Sequence, residues 1–161
     1  MTRDDWVLLV PMRMEARALR RGLPSGAPLR RTGRGLVRAG RAADRHSGAG
    51  ALAVAGIAGG LTSALRPGDV VVATEVRRAD RPDAPAVPCP AAPMVAAALR
   101  RRGLTAHLGP VVTSRRLVDG PVRARLAATG ALAADTESAA LLGRAAGRPV
   151  IPASIIAASA R

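Results

Sequence analysis

Two apolar runs set around a double glycine and a Pro-Gly-Asp, in "LAVAGIAGGLTSALRPGDVVVATEV" (Leu52 to Val76), constrain the fold more than any other stretch of the chain. Neither run alternates apolar with polar residues. A strand made from either must therefore be covered on both faces, as in a sheet flanked by helices. Gly59–Gly60 ends the first run. Paired glycines allow close backbone approach and leave N–H groups to face an anion or a sugar hydroxyl, and a tight strand-to-helix turn uses them equally well. No Gly-Lys-Ser/Thr follows, which excludes a Walker phosphate loop.

The rest of the chain repeats the alternation of short β-like runs with helical ones. "WVLLV" (Trp6–Val10) reads as a buried strand ended by Pro11, and "RMEARALRRG" (Arg13–Gly22) as a helix stopped by glycine. "PLRRTGRGLVRAG" predicts extended segments around Gly33 and Gly35, with "RAADRH" as a following helix. Arg77 to Pro93 reads as a flexible loop rich in Pro, Asp and Ala. Met94–Gly103 is a helix with arginines in its last turn, and "TAHLGPVVTS" is a further strand. Asp119 caps a helix closed by Gly130, and "ALAADTESAALLGRAAG" runs from a strand into a helix. Strands alternating with helices over 161 residues predict a single α/β sandwich domain.

Composition removes several function classes. The net charge of +14 suggests nucleic acid, but all 25 basic residues are arginine, scattered in pairs and triplets among GC-coded Ala, Gly and Pro. With one Trp and no Phe or Tyr there is no stacking platform for bases, so nucleic acid is not the expected partner. The lone Cys89 excludes an intrachain disulfide and any multi-cysteine metal site. It stands in a proline-spaced loop with no His or acid beside it, which describes an inert thiol. No segment reaches transmembrane length and "MTRDDWVLLVPMRME" lacks a signal-peptide layout, so a cytoplasmic location is expected.

Four places hold candidate chemistry: the glycine pair, Asp135 and Glu137 in "AADTESAA", Glu15 in the first helix, and His46 with His107. The two acids at a strand-to-helix junction can cap the helix, or one can grip vicinal hydroxyls. Glu15 alone reads more readily as an N-terminal helix acid. Neither histidine has a partner at metal or triad spacing.

Taken in order, "LLVPMRMEARAL", "RTGRGLVRAGRAA", "LAVAGIAGGLTSALRPGDVVVATEVR", "HLGPVVTSRRLVDG" and "GALAADTESAALL" resemble the purine/uridine phosphorylase and methylthioadenosine nucleosidase superfamily, closest to the hopanoid-biosynthesis-associated phosphorylases. The resemblance covers about residues 7 to 150. It implies a three-layer αβα sandwich with a mixed central sheet, and cleavage of an N-glycosidic bond by phosphate or water. Glu137 would hold the ribose hydroxyls, with Thr136 where the family usually has methionine. Glu15 would orient attacking water, and Ile57, Ala58, Gly59 and Gly60 would lie at the nucleophile. Leu117 and Val118 would wall the base, and Arg13, Arg34 and Arg38 are candidate phosphate contacts. It implies no metal or cofactor, inorganic phosphate as co-substrate, a nucleoside partner and a homo-oligomer.

The tail departs from this pattern. Residues 151–161, "IPASIIAASAR", carry Ser154 and Ala158 where an arginine and the proton-donating aspartate are expected. The resemblance thus predicts a chain lacking the last strand and helix, truncated, frameshifted or degenerate, with impaired activity. The alternatives are a non-catalytic nucleoside-binding or oligomer-interface remnant and, further off, a basic nucleic-acid-binding domain.

Overall fold

The computed structural model describes residues 6–145 and 147–158. Thirteen elements follow one another among them: β1 (Trp6–Val10), α1 (Arg13–Arg20), β2 (Leu29–Arg31), α2 (Leu36–Arg45), β3 (Ala51–Gly60), β4 (Val70–Arg78), β5 (Val87–Pro88), α3 (Ala92–Arg101), β6 (Ala106–Thr113), α4 (Gly120–Ala128), β7 (Ala133–Asp135), α5 (Ser138–Leu142) and β8 (Val150–Ala158). The strands form one mixed sheet in the order β2-β1-β3-β7-β6-β4-β5, with β8 paired to both β3 and β4.

Strand period 2 sorts the side chains into three layers. Val7 and Leu9 of β1, Leu52 and Val54 of β3, and Val71 and Ala73 of β4 face α2 and α5 through Ala39, Ala42, Ala43, Leu141 and Leu142. The intervening residues face the other way. Leu8 and Val10 meet Ala16 and Leu19 of α1, and Val70 and Val72 meet Ala92 and Ala96 of α3. Both faces of each central strand are thus buried, which is why its sequence shows no alternation. The α/β sandwich expected from the sequence is the fold observed. Leu9, Leu52, Leu141, Leu142 and Ile156 are almost wholly enclosed, and each such side chain contributes about 1.5–3 kcal/mol.

The long strand β3 organises the functional end. Its first half pairs in parallel with β1, Trp6–Leu9 against Ala51–Val54, while Gly59 and Gly60 turn to pair antiparallel with Ala134 and Ala133 of β7. With β8 on its other edge, β3 closes a ring through β8, β4, β6 and β7. The loops after β1, β2, β6 and β7 converge near the carboxyl end of β3.

Three expectations change. Residues 150–158 form strand β8, in register with β3 from Leu52↔Val150 to Gly59↔Ala158. The last strand is therefore present despite its divergent sequence, because burial of Val150, Ser154 and Ile156 sets its face. Pro152 has no N–H to give, and it falls just before Ala153–Ile155, the residues that pair with β4. Helix α2 starts at Leu36, earlier than expected, since "LVRA" continues the apolar face that packs on α5. The segment from Arg77 to Pro93, read as a flexible loop, holds β5 paired to Glu75 and Val76, and Asp80 is clamped between Arg78 and Arg115 at 2.8 Å each. The end of the tail, residues 159–161, lies outside the described residues.

Candidate active site

Glu15 is the fourth residue after Pro11 and points back over the first turn of α1. Its Oε2 accepts the Met12 N–H at 2.6 Å and its Oε1 accepts the Ile57 N–H of β3 at 2.7 Å. The carboxylate is thus a capping acid and a tie to the glycine strand at once. Gly56 makes the approach possible, because a Cβ there would stand 3.2 Å from Glu15 Oε1 and 3.4 Å from Pro11 Cδ. Glu15 is 6 % exposed. Burial raises its pKa above the usual 4.5, Ile57 and Met12 amides act against that, Glu137 adds to it, and Arg34 opposes it.

Glu137 approaches from the junction of β7 and α5. Its Oε1 accepts the Gly35 N–H at 2.7 Å and also the Thr136 hydroxyl. Gly35 has φ +87°, a conformation that favours glycine, and this conformation at the start of α2 presents the amide. Thr136, standing where the family usually has methionine beneath the ribose, is a hydrogen-bond donor to the neighbouring glutamate.

Asp135 performs the capping role that the sequence left open between the two acids. Its Oδ2 accepts the Ser138 N–H at 3.0 Å and its Oδ1 accepts the Thr113 hydroxyl at 2.6 Å. Thr113 in turn accepts the Ala139 N–H at 2.9 Å, which fixes the start of α5 to the end of β6. Burial pushes the Asp135 carboxyl up, against its Ser138 and Thr113 hydrogen bonds.

These groups line a cavity of about 400 Å³. Of the residues singled out in the sequence, Glu15, Arg34, Ile57, Ala58, Gly59, Leu117, Val118, Asp135, Thr136 and Glu137 meet there. Gly60 lies just outside it, and its carbonyl accepts a hydrogen bond from the Arg123 guanidinium. Arg13 and Arg38 are not on its wall either; they line an adjoining trough. The glycine requirement also moves. A Cβ on Gly59 would meet the Ala134 carbonyl oxygen at 4.0 Å, an ordinary contact, so Gly56 is the position where a side chain would intrude.

Sequence reading missed Pro11, Met12, Leu61, Arg116, Arg123 and Ala134 on the cavity wall. Pro11, Met12 and Leu61 adjoin motifs already noticed. Arg123 carries no local signal, being one of many arginines, and only the docking of α4 beside the end of β3 brings it in. Among the described residues no three His, Cys, Asp or Glu side chains group to hold a metal ion. Cys89 is buried and burial pushes its thiol up to about 11, away from the thiolate. His107 bonds Asp69 at 3.0 Å, near the opposite ends of β4 and β6, and His46 ends α2. No helix among the described residues is long and apolar enough to cross a membrane.

The fold recurs in solved nucleosidases. S-adenosylhomocysteine nucleosidase from Streptococcus pyogenes superposes with TM-score 0.81 at 20% identity, over 98% of this chain and 85% of that one. The 5'-methylthioadenosine/S-adenosylhomocysteine nucleosidase from Neisseria meningitidis gives 0.79 at 21% identity, over 95% and 85%. Futalosine hydrolase of Helicobacter pylori gives 0.80 at 15%, over 95% and 84%. No curated protein sequence matches the chain significantly. The phosphorylase superfamily matches residues 27–160, thus including most of the divergent tail, and on that match this chain belongs to the phosphorylase superfamily.

Proposed function

We propose that the chain cleaves the N-glycosidic bond of a purine nucleoside or a 5′-substituted adenosine. The observation that carries this reading is the pair of glutamates on one cavity, Glu15 tied to Ile57 and Glu137 tied to Gly35. Cleavage passes through an oxocarbenium-like ribose, so the site must hold the sugar, deliver a nucleophile at C1′ and accept the departing base. Both protein bonds to Glu137 fall on Oε1, which leaves Oε2 to take a sugar hydroxyl. Glu15 is a buried carboxylate of raised pKa, suited to taking a proton from water. Leu117 and Val118 wall the base, with Arg123 beside them.

Glu15 favours water over phosphate. A phosphate dianion beside Ile57 would meet a carboxylate already seated on that amide, and like charges repel strongly in a site shielded from water. Inorganic phosphate remains the alternative nucleophile, and neither reaction calls for a metal or organic cofactor. Leu117 is 79% exposed at the cavity rim, and a second copy of the chain covering it belongs to the same reading. So does a cytoplasmic location.

The test is base release. The purified chain is incubated with adenosine, inosine and methylthioadenosine, with and without phosphate, and free base is followed by chromatography. Release without phosphate is the expected result. Release only with phosphate assigns a phosphorylase. A folded chain that binds a nucleoside and releases no base is a non-catalytic remnant, the second reading, which Ala158 at the expected aspartate position favours.

A further inference from the structure

Beside the cavity runs a trough of about 500 Å³ that shares Pro11, Met12 and Arg34 with it. Its remaining wall is Arg13, Arg31, Arg38, Thr32 and Gly33, so four arginines and no carboxylate line it. None of the four makes an ion pair with an acid among the described residues, whereas Arg77, Arg78, Arg115 and Arg144 each do. The frame beneath them is built. The Thr32 N–H donates to the Val10 carbonyl at 2.9 Å and the Gly33 N–H to the Pro11 carbonyl at 3.1 Å, zipping the loop after β2 to the loop after β1. Gly33, at φ +82°, lies under the Arg38 side chain, whose Cδ would stand 3.0 Å from a Cβ placed there. The stem of Arg38 is thus laid along the loop.

We propose that this trough binds an oxyanion carried outboard of the ribose, so that the substrate is a nucleoside whose 5′ arm ends in a phosphate or carboxylate. The inference rests on the ribosyl-cleavage reading above. Glu137 fixes the sugar against Gly35, next to Arg34, while Leu117 and Val118 place the base at the loop after β6. The loops after β1 and β2 therefore receive the part of the sugar that points away from the base. Four cations, none held in a direct ion pair and only Arg34 within the field of a carboxylate, Glu15, attract an anion and disfavour an apolar arm, which would strip water from the guanidiniums without replacing it. That argues against a polycyclic lipid such as a hopanoid as the arm. A free phosphate attacking C1′ would sit inside the cavity, and Arg31 and Arg38 are not on its wall.

Calorimetric titration of the full chain with adenosine, adenosine 5′-monophosphate and inorganic phosphate tests it, using wild type, Arg31→Glu and Arg31→Ala. Arg31 is exposed on the trough and lies outside the cavity, so both variants retain the fold and the adenosine affinity. The expected result is that the monophosphate binds at least about tenfold more tightly than adenosine, the worth of one hydrogen bond to a charged group. Arg31→Glu then abolishes that advantage, Arg31→Ala reduces it, and inorganic phosphate competes with the monophosphate. Equal binding of adenosine and its monophosphate overturns the inference and leaves the nucleoside reading standing. Phosphate that tightens adenosine binding instead of displacing the monophosphate assigns the trough to the co-substrate and also overturns it. Failure of both nucleoside and nucleotide to bind overturns the nucleoside reading itself.

Discussion

Glu137 Oε1 and the Gly35 N–H stand 2.7 Å apart across 102 residues of chain. This bond fastens the start of α2 to the junction of β7 and α5 and aims the glutamate into the cavity. Glu137→Ala removes both the proposed sugar contact and the acceptor for the part-buried Gly35 amide, at a cost of about 1–3 kcal/mol in stability. Glu137→Gln keeps the Gly35 bond and loses the charge. The expected outcome is a lower melting temperature for the alanine variant alone, with KM for a riboside raised in both.

Glu15 sets the pH dependence expected of the proposed reaction. In the proposed base role it acts ionised, and burial lifts its pKa above 4.5, so kcat/KM is expected to rise with pH through that raised value and then level. Acidification below it is expected to silence base release. The same shift has the opposite sign for stability: a carboxyl with a raised folded pKa penalises folding while ionised, and the penalty is relieved as pH falls. Glu15→Gln should lower kcat by roughly 10²–10⁴-fold and flatten the acid limb of the profile. A variant with wild-type turnover would remove Glu15 from the chemistry.

Gly56 tests the positioning of Glu15 without replacing a charged residue. In Gly56→Ala the new methyl meets Oε1 at 3.2 Å and Pro11 at 3.4 Å, so the carboxylate has to give by about a few tenths of an ångström from its place on the Ile57 amide. Turnover falls by about tenfold or more, in line with the sensitivity of such geometry to small displacements. Gly59→Ala, which adds only an ordinary contact with the Ala134 carbonyl, leaves the melting temperature close to wild type. Comparing the two variants by turnover and thermal unfolding checks both statements.

Ala158 pairs in the sheet with Gly59, a residue of the cavity wall, and stands at the position where the resemblance expects a proton donor. Ala158→Asp should therefore raise base release, by roughly the 10²–10⁴-fold a general acid contributes. Unchanged release with an unchanged fold would show that the leaving base obtains its proton elsewhere.

The continuous apolar runs of β1, β3 and β4 announced a sheet covered on both faces; local chemistry alone read Glu15 and Glu137 as helix-capping acids, and it was the order of the motifs, through the resemblance, that grouped them with Thr136 and the glycine strand, which the fold brings to one cavity wall. Strand β8 was not legible. Its departure from the family pattern hid a segment whose place depends on edges offered by β3 and β4, and pairing partners are not encoded within nine residues. Nor did the sequence distinguish Gly56 from Gly59, since the difference lies in what stands opposite each: Glu15 and Pro11 for one, a carbonyl at ordinary distance for the other. The arginines show the same division. Sequence by itself determined their number and scatter; only the meeting of the loops after β1 and β2 decided that Arg13, Arg31, Arg34 and Arg38 share one trough, because charges far apart along the chain become a site only when the backbone hydrogen bonds of the fold draw them together.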